Sequence, residues 1–465
     1  MQLLDSFCGT LRESGRLLLQ SGGRLCLFGP RGRLSQPGAG GLVSGLPGGP
    51  VQRVLKKLCP LRRLLPVAEG RLTRFWFRPA RRDKPRGELM VFGLETPLGT
   101  ASLICSKLSG GKTLRALERH LEALGAAPGE PAALYALLAP EQPHGHAKPM
   151  LRLMPDLPAR QAAGQIFAAH LAAARQNELG IISDLDTEFL HDYRIALRRS
   201  RALLSGMKGV LGAGAAVRLR RDLSALMSRT GRLRDLDVFL LEQDRIRARL
   251  PAALHPALAA LFAAISAERA ACQQTVARHL CGASYHWHMA GLTAEAACAS
   301  ATARLQDPGA AQPIGPLARK LIRKRHAKLC GQARQITDRS PDEDIHALRI
   351  GCKKLRYQLE LFAPLFPEEA LAQALKPLRR LQNRLGRFND CAQQETVLLE
   401  FAARGFAAPG GDPNPAGVKA ALAAGALVAL LHQEQRATRA RLGKRLKAFA
   451  SPAAQARFQA LCRRG

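Results

Sequence analysis

The stretches HDYRIALRRSR, at residues 191–201, and HALRIGCKKLR, at residues 346–356, carry the same pattern of basic residues. Each begins with His, has Arg at the fourth position, and has basic residues at the eighth, ninth and eleventh positions. Residues three or four apart lie on the same face of an α-helix, since a turn takes about 3.6 residues. The sequence therefore predicts two helices, each with a cationic stripe along one face.

A second motif repeats in the same register. GRLRD at residues 231–235 and GRFND at residues 386–390 are separated by 155 positions, as are the two stripes. Two motifs held at one offset indicate a duplicated structural unit. We expect a helical domain over residues 155–465, with a first half at 157–300 and a second half at 314–460.

The composition favours helices throughout this domain. Hydrophobic residues make up 47% of the 465-residue chain, but aromatic residues only 5%. The chain is rich in Ala and Leu, which are strong helix formers, whereas strands favour β-branched and aromatic residues. We therefore predict a mainly α protein.

Residues 1–150 differ from the rest of the chain in composition and in hydrophobic pattern. Residues 29–50 are rich in Gly and Pro and are predicted to form a linker or a large loop. Strand-like segments follow at 71–77, 88–94 and 100–106, and a helical pattern at 113–125 ends at a Gly in the C-cap position. We expect a small α+β region in front of the helical domain.

The net charge points to an anionic partner. Lys and Arg number 70 against 36 Asp and Glu, a formal charge of +34, which attracts nucleic acid, inorganic polyphosphate or anionic membranes. Asp192 is the only acid between Phe189 and Lys208, and Glu360 follows only after the second stripe. Because like charges at helical spacing repel, we expect a bound anion to offset them. Guanidinium forks match phosphate oxygens well.

Other features narrow the class of protein. The eleven Cys residues include no C-x-x-C pair, so we expect reduced thiols in a cytoplasmic protein rather than a disulfide framework or a zinc site. The longest apolar run, at residues 420–431, is too short to span a bilayer and is predicted to be a buried helix. No membrane partner is expected.

The pattern H-x-x-R-[IV]-x-x-[RK]-[RK]-x-R, followed by G-R-x-x-D in two helical copies, resembles the CHAD (conserved histidine α-helical domain) family over residues 157–460. The resemblance implies two halves similar to four-helix bundles, related by a pseudo-twofold axis. It also implies a central basic groove that binds inorganic polyphosphate, and association with polyphosphate granules in the cytoplasm.

The resemblance and the two motifs together give the candidate residues. By the resemblance, the polyphosphate-binding residues are His191, Arg194, Arg198, Arg201, His346, Arg349, Lys353 and Arg356. The stripes and the second motif add Arg199, Lys208, Arg229, Arg232, Lys354, Arg379, Arg384 and Arg387. Asp235 and Asp390 either orient a neighbouring Arg or make a plain helix-turn contact, and Gly231 and Gly386 are predicted to permit close helix packing or a kink.

Many proteins of this family carry an N-terminal triphosphate tunnel domain, which is CYTH-like and is marked by an E-x-E-x-K strand that binds metal. No E-x-E occurs within residues 1–150. We therefore expect any such domain here to be degenerate, and we predict no catalytic residues, no metal site and no cofactor.

Two alternative functions stay open. A nucleic-acid-binding protein would use the same charge, but such proteins normally offer stacking aromatic side chains to single strands. The stripes contain only Tyr193 and Tyr357, which we expect to pack inward. An enzyme acting on polyphosphate or triphosphate would need a metal site or a general base. Non-enzymatic binding of inorganic polyphosphate is the preferred hypothesis.

Overall fold

A computed structural model describes residues 1–30, 32–77, 87–96, 99–108, 111–126, 135, 149, 151–207, 209–301, 308–406 and 415–463. The chain forms two compact units. The first comprises residues 1–147 with residues 185–189, and the second comprises residues 148–184 with residues 190–465.

The first unit contains a five-stranded antiparallel sheet in the order β4-β3-β2-β1-β5. Its strands are β1 (Gln2–Ser6), β2 (Leu17–Ser21), β3 (Arg24–Gly29), β4 (Gly32–Pro37) and β5 (Leu64–Glu69). Helices α1 (Thr10–Glu13) and α2 (Pro50–Leu58) follow β1 and β4. Leu3 and Leu4 belong to different core clusters because adjacent strand residues point to opposite faces.

The prediction of a linker or large loop at residues 29–50 is wrong in part. This stretch contains β4, which pairs with β3 so that Leu27 lies opposite Leu34. It also contains a 3₁₀-helix at Val43–Gly45 and the first residue of α2. The Gly and Pro residues mark the turns beside these elements, and hairpin pairing with the preceding strand β3 overrides the local composition.

The predicted strands and helix in the rest of this unit are confirmed. A three-stranded antiparallel sheet has the order β6-β7-β8 and consists of β6 (Arg71–Phe77), β7 (Gly87–Thr96) and β8 (Gly99–Leu108). Helix α3 (Gly111–Ala123) follows. Gly125 takes a φ of +86° just beyond its end, a left-handed conformation that Gly adopts without strain. The expected α+β character is therefore correct.

The named regular elements of the second unit are all helices. They are α4 (Ala159–Gln176), α5 (Glu178–Ile182), α6 (Thr187–Gly206), α7 (Ala213–Arg229), α8 (Gly231–Leu241), α9 (Gln243–Arg247), α10 (His255–Cys281), α11 (Ala283–Ala301), α12 (Pro308–Ala311), α13 (Ile314–Gln335), α14 (Asp342–Leu361), α15 (Glu368–Phe406), α16 (Pro415–Ala440), α17 (Leu442–Phe449) and α18 (Pro452–Leu461). The first three residues of α6 belong to the first unit.

The two repeats share one hydrophobic core. Leu236 and Phe239 of α8 and Phe262 of α10 come from the first repeat, and they cluster with Leu398 of α15 and Leu427 of α16 from the second. All five side chains are buried. Burial of apolar surface between the repeats therefore stabilises them as a single helical body.

Backbone pairing at the start of each repeat shows a pseudo-twofold relation. The amide of Ala159 donates to the carbonyl of Gln312 at 2.9 Å, and the amide of Ile314 donates to the carbonyl of Leu157 at 2.9 Å. Each bond maps onto the other when the repeats are exchanged at the offset of 155 residues. The predicted duplication is thus confirmed as a structural symmetry.

The apolar run at residues 420–431 lies within α16. Leu427 and Leu431 are buried, but Leu422 is 63% exposed, so the helix is buried along one face only. Among the described residues, no helix is long and apolar enough to cross a membrane.

Candidate functional site

The core fixes which way the two cationic stripes point. Leu197 and Leu204 on α6, and Leu355 and Leu359 on α14, are at most 1% exposed. These leucines lie beside the stripes on each helix, so the stripes border the core and Arg194, Arg198, Arg349 and Lys353 are half-buried. The inward packing expected for the stripe tyrosines is confirmed, since both are buried.

The two stripes meet at Arg198. Its guanidinium group acts with burial to lower the pKa of Arg194 to about 10 in the first repeat. Burial, Arg349 and Arg198 together lower the pKa of Lys353 to about 8 in the second repeat. Arg198 also contributes to the lowered pKa of Arg349, of which burial is the main cause. We call Arg194, Arg198, Arg349 and Lys353 the basic cluster.

Arg194 is held by the end of the neighbouring helix. Its Nη1 donates to the carbonyl oxygen of Met227 and to Oγ1 of Thr230, both at 2.7 Å. Helix α7 ends at Arg229, so the carbonyl of Met227 belongs to the last turn, where carbonyls have no partner within the helix. A cation near this end also interacts favourably with the helix dipole.

The equivalent arginine of the second repeat has an acidic partner. Nη2 of Arg349 lies 3.7 Å from Oδ1 of Asp390, which favours an orienting role for this Asp over a plain helix-turn contact. Asp235 acts likewise in opposing the lowered pKa of Arg194. Close by, Nδ1 of His346 lies 2.6 Å from Oδ1 of Asn389.

One atom lacks a hydrogen-bond acceptor in both repeats. Within the described residues, the Nε atoms of Arg194 and Arg349 are buried and have no hydrogen-bond partner. The two arginines occupy the same place in the repeat. A buried donor without an acceptor is costly, and a phosphate oxygen would satisfy it.

The expectation that no acid offsets the stripes is wrong in part. Glu360, in the last turn of α14, lies 2.9 Å from Nη2 of Arg199 and 3.6 Å from Nε of Arg356. Arg199 is only 7% exposed. Arg199 is therefore engaged in a buried ion pair, whereas the basic cluster keeps most of its positive charge.

The arginines of the second motif also have carboxylate partners. Arg232 contacts Glu268 at 2.6 Å and Glu400 at 2.8 Å. Its repeat equivalent, Arg387, pairs with Glu434 and lies 3.7 Å from Glu242. Each arginine thus reaches a carboxylate of the other repeat. These pairs hold the repeats together, and the charges of Arg232 and Arg387 also act on Asp235 and Asp390, the acids beside the cluster arginines.

The remaining candidates lie apart from the cluster or at its border. Arg201 has a pKa lowered by burial and by Arg220. Arg229 is exposed and acts on the pKa of His279 instead. His191 is half-buried on α6, and Lys208 lies outside the described residues.

Three candidates of the second repeat occupy other positions. Arg379 is exposed and Arg384 half-buried on α15, and within the described part of the chain neither forms an ion pair or side-chain hydrogen bond. Lys354 is exposed and lines a cavity on a different face of α14.

Close helix packing at Gly231 and Gly386 is not found. A Cβ atom at either position would meet no atom within 4 Å. The helix is interrupted beside Gly231, since α7 ends at Arg229 and α8 begins at Gly231. Gly386 lies inside the uninterrupted helix α15, so the two equivalent glycines have different surroundings.

Sequence reasoning missed several contributors. Thr230, which accepts from Arg194, has no counterpart in the second repeat, so the repeat pattern did not reveal it. The cations of α13 were visible as the run RKLIRKRHAK at residues 319–328. Among the described residues, no group of three His, Cys, Asp or Glu side chains could hold a metal ion.

Comparison with known protein families agrees with this architecture. The CHAD domain family model matches residues 165–399, which is half of the chain. The chain belongs to the CHAD-domain family.

One solved structure agrees with this assignment, and a second is reported beside it. The CHAD domain from the plant Ricinus communis is 25% identical in sequence and superposes with a TM-score of 0.54, covering 65% of this chain and 95% of that one. PptA from Streptomyces chartreusis is 19% identical, with a TM-score of 0.43, covering 61% of this chain and 98% of its own. No curated protein matches the chain.

Proposed function

We propose that this protein binds inorganic polyphosphate at the basic cluster without acting on it chemically, and that this binding associates it with polyphosphate granules in the cytoplasm. The observation that carries the proposal is the pair of equivalent buried Nε atoms of Arg194 and Arg349, which have no hydrogen-bond partner among the described residues. The charge of Arg198 acts on cations of both repeats and supports it. The two stripes thereby form one anion-binding surface.

The chemistry of the cluster suits phosphate. Three of its four members are arginines, whose planar guanidinium groups can bind phosphate oxygens through two parallel hydrogen bonds. The buried Nε atoms of Arg194 and Arg349 are equivalent donors in need of an acceptor. A chain of repeating phosphates suits a site in which the same donor occurs twice.

The cluster suits a ligand without bases. Tyr193 is fully buried and Tyr357 is 6% exposed, so neither offers an open ring face on which a nucleobase could stack. Proteins that bind single-stranded nucleic acid without sequence preference rely on such stacking. Binding should instead be mainly electrostatic and should weaken steeply with added salt.

The direct test is charge reversal of the whole cluster. The variant Arg194→Glu, Arg198→Glu, Arg349→Glu, Lys353→Glu, called the cluster variant, should lose long-chain polyphosphate binding in a titration near physiological salt. The matched control reverses four exposed cations in α16, in α17 and between them, namely Arg436, Arg441, Lys444 and Lys447. The control has the same net charge and should retain most of the affinity.

Circular dichroism and thermal unfolding would test whether both variants are folded. If the cluster variant unfolds, the milder pair Arg198→Gln and Lys353→Gln carries the test. Unchanged affinity in a folded variant would overturn the proposal, as would an equal loss in the control. A tagged cluster variant should also lose its association with granules in cells.

Competition separates polyphosphate from nucleic acid. Long-chain polyphosphate bound by the wild-type protein should survive an excess of duplex or single-stranded DNA. If polyphosphate cannot displace bound DNA, the basic cluster serves nucleic acid instead. Release of phosphate in the presence of divalent metal ions would contradict the non-enzymatic part of the proposal.

A further inference from the structure

A second basic cavity lies between helices of both repeats. It has a volume of about 440 Å³ and is lined by residues of α6, α7, α13 and α14. Its cationic lining residues are Arg220, Lys324, Arg325, Lys328 and Lys354. No Asp or Glu is among the described residues that line it. We call it the α13 cavity.

The α13 cavity and the basic cluster use different faces of α14. Gly351 and Lys354 line the cavity, whereas Arg349 and Lys353 belong to the cluster. Each residue advances about 100° around a helix. Lys354 therefore points away from the direction of Lys353, and the cavity is a separate site rather than the floor of the first.

The cations of α13 are specific to the second repeat. At the offset of 155 residues, Lys324 and Lys328 align with Ala169 and Ala173 of α4. Ala173 is buried. The duplicated stripe motif therefore does not account for the charge of this cavity, and the first repeat has no equivalent site.

Part of the positive charge of the cavity is not neutralised by an ion pair among the described residues. Within the described part of the chain, Arg220, Lys324 and Lys328 form no ion pair, and Nε of Arg325 is buried without a hydrogen-bond partner. Burial lowers the pKa of Arg325. Like charges gathered without a carboxylate repel one another, so an anion in the cavity would stabilise the fold.

The size and lining of the cavity define the class of anion. A volume of about 440 Å³ is that of a small-molecule site, not of a surface that tracks a long polymer. No aromatic side chain is among its described lining residues, so a nucleobase would gain no stacking. Leu321 and Leu329 also line the cavity.

We propose that the α13 cavity is a second phosphate site, which binds a short oligophosphate such as triphosphate independently of the basic cluster. The site goes beyond the binding of long polyphosphate proposed above. A protein with both sites would bind long chains at one face and sense short chains at another.

The test is calorimetric titration with triphosphate in four proteins. Triphosphate should still bind the cluster variant. Adding Lys324→Glu and Lys328→Glu to that variant should weaken triphosphate binding at least about tenfold. The same two changes in the wild-type protein should alter long-chain polyphosphate affinity less than about threefold. The matched control changes Lys444→Glu and Lys447→Glu, two exposed lysines of α17 outside this cavity.

Each outcome decides the proposal. Lys324 and Lys328 are exposed, so the substitutions leave the core intact, and Lys324→Arg with Lys328→Arg should restore affinity. Loss of triphosphate binding in the cluster variant alone would overturn the second site. So would equal losses of long and short chains in the cavity variant. If the wild-type protein binds triphosphate but not long-chain polyphosphate, the proposed function is wrong and the second phosphate site is still supported.

Discussion

The two repeats hold equivalent arginines in different ways. In the first repeat one helix ends and the next begins at Thr230. Arg194 donates to a neutral carbonyl and a hydroxyl at this helix end. In the second repeat α15 runs unbroken through the equivalent position, Leu385. Arg349 approaches the carboxylate of Asp390 instead.

The charge that each half offers to a ligand depends on more than these contacts. Asp235 and Asp390 each offset part of the positive charge of the arginine beside them, Arg194 and Arg349. The second repeat also contains Lys353, whose lowered pKa of about 8 leaves it partly deprotonated just above neutral pH. The first repeat, with Arg198 at that place, should therefore contribute more to anion affinity.

Neutralising one repeat at a time gives the largest expected effect. Arg194→Gln with Arg198→Gln should weaken polyphosphate binding about a hundredfold, and Arg349→Gln with Lys353→Gln about tenfold, because charge-assisted hydrogen bonds contribute about 1.5–3 kcal/mol each. Titrations at several salt concentrations measure both the affinity and the salt slope, which should fall more for the first pair.

A single substitution in the second repeat serves as the control for the two double variants. Asp390→Asn removes the carboxylate beside Arg349 and should strengthen polyphosphate binding. Equal losses in the two double variants would show that the ligand does not distinguish the repeats. A larger loss from the second pair would reverse the proposed order of contributions.

The titration of Lys353 gives the next largest effect. Its pKa is about 8 in the folded protein against 10.5 for an ordinary Lys. Below pH 8 the folded state bears the full cost of a half-buried ammonium group, and this cost disappears as the pH rises towards 10.5. Lys353→Met should therefore raise the free energy of unfolding by about 1–2 kcal/mol at pH 7, and by less at pH 9.5.

Urea unfolding at the two pH values measures this difference. Arg198→Met is the matched variant of the first repeat, and its effect should change less between these pH values, since Arg keeps its charge there and only its repulsion of Lys353 is lost as Lys353 deprotonates. A Lys353→Met effect that stays constant with pH would show that its ammonium group is not destabilised by burial.

Local patterns in the sequence were enough to predict the stripe helices and the duplication. The spacing of basic and apolar residues in α6 and α14 depends only on helical periodicity. The partners of the arginines could not be predicted in this way. Glu360 reaches Arg199, and Glu400 and Glu434 reach Arg232 and Arg387, from other helices, so these pairs depend on tertiary packing.

Two further features of the structure were not predicted from the sequence, for related reasons. Strand β4 exists because β3 offers it a partner, although the local composition favours a loop. The α13 cations are present in the sequence as a basic run. They do not belong to the repeat pattern, since α4 has alanines at the positions of Lys324 and Lys328. A repeat pattern reveals what two copies share and hides what only one has acquired.

The smallest expected effect concerns the equivalent glycines. Gly386 lies inside α15 with open space where a Cβ would be, so Gly386→Ala should raise the free energy of unfolding by about 0.5–1 kcal/mol. Gly231 begins α8, and Gly231→Ala should gain less because the end of a helix restricts the backbone less. Gly164→Ala is the contrast, since its Cβ would lie 2.4 Å from the amide nitrogen of Ser300 and should destabilise the protein. Urea unfolding of the three variants would contradict this account if Gly386→Ala destabilised the fold as Gly164→Ala does, because the position would then be closely packed.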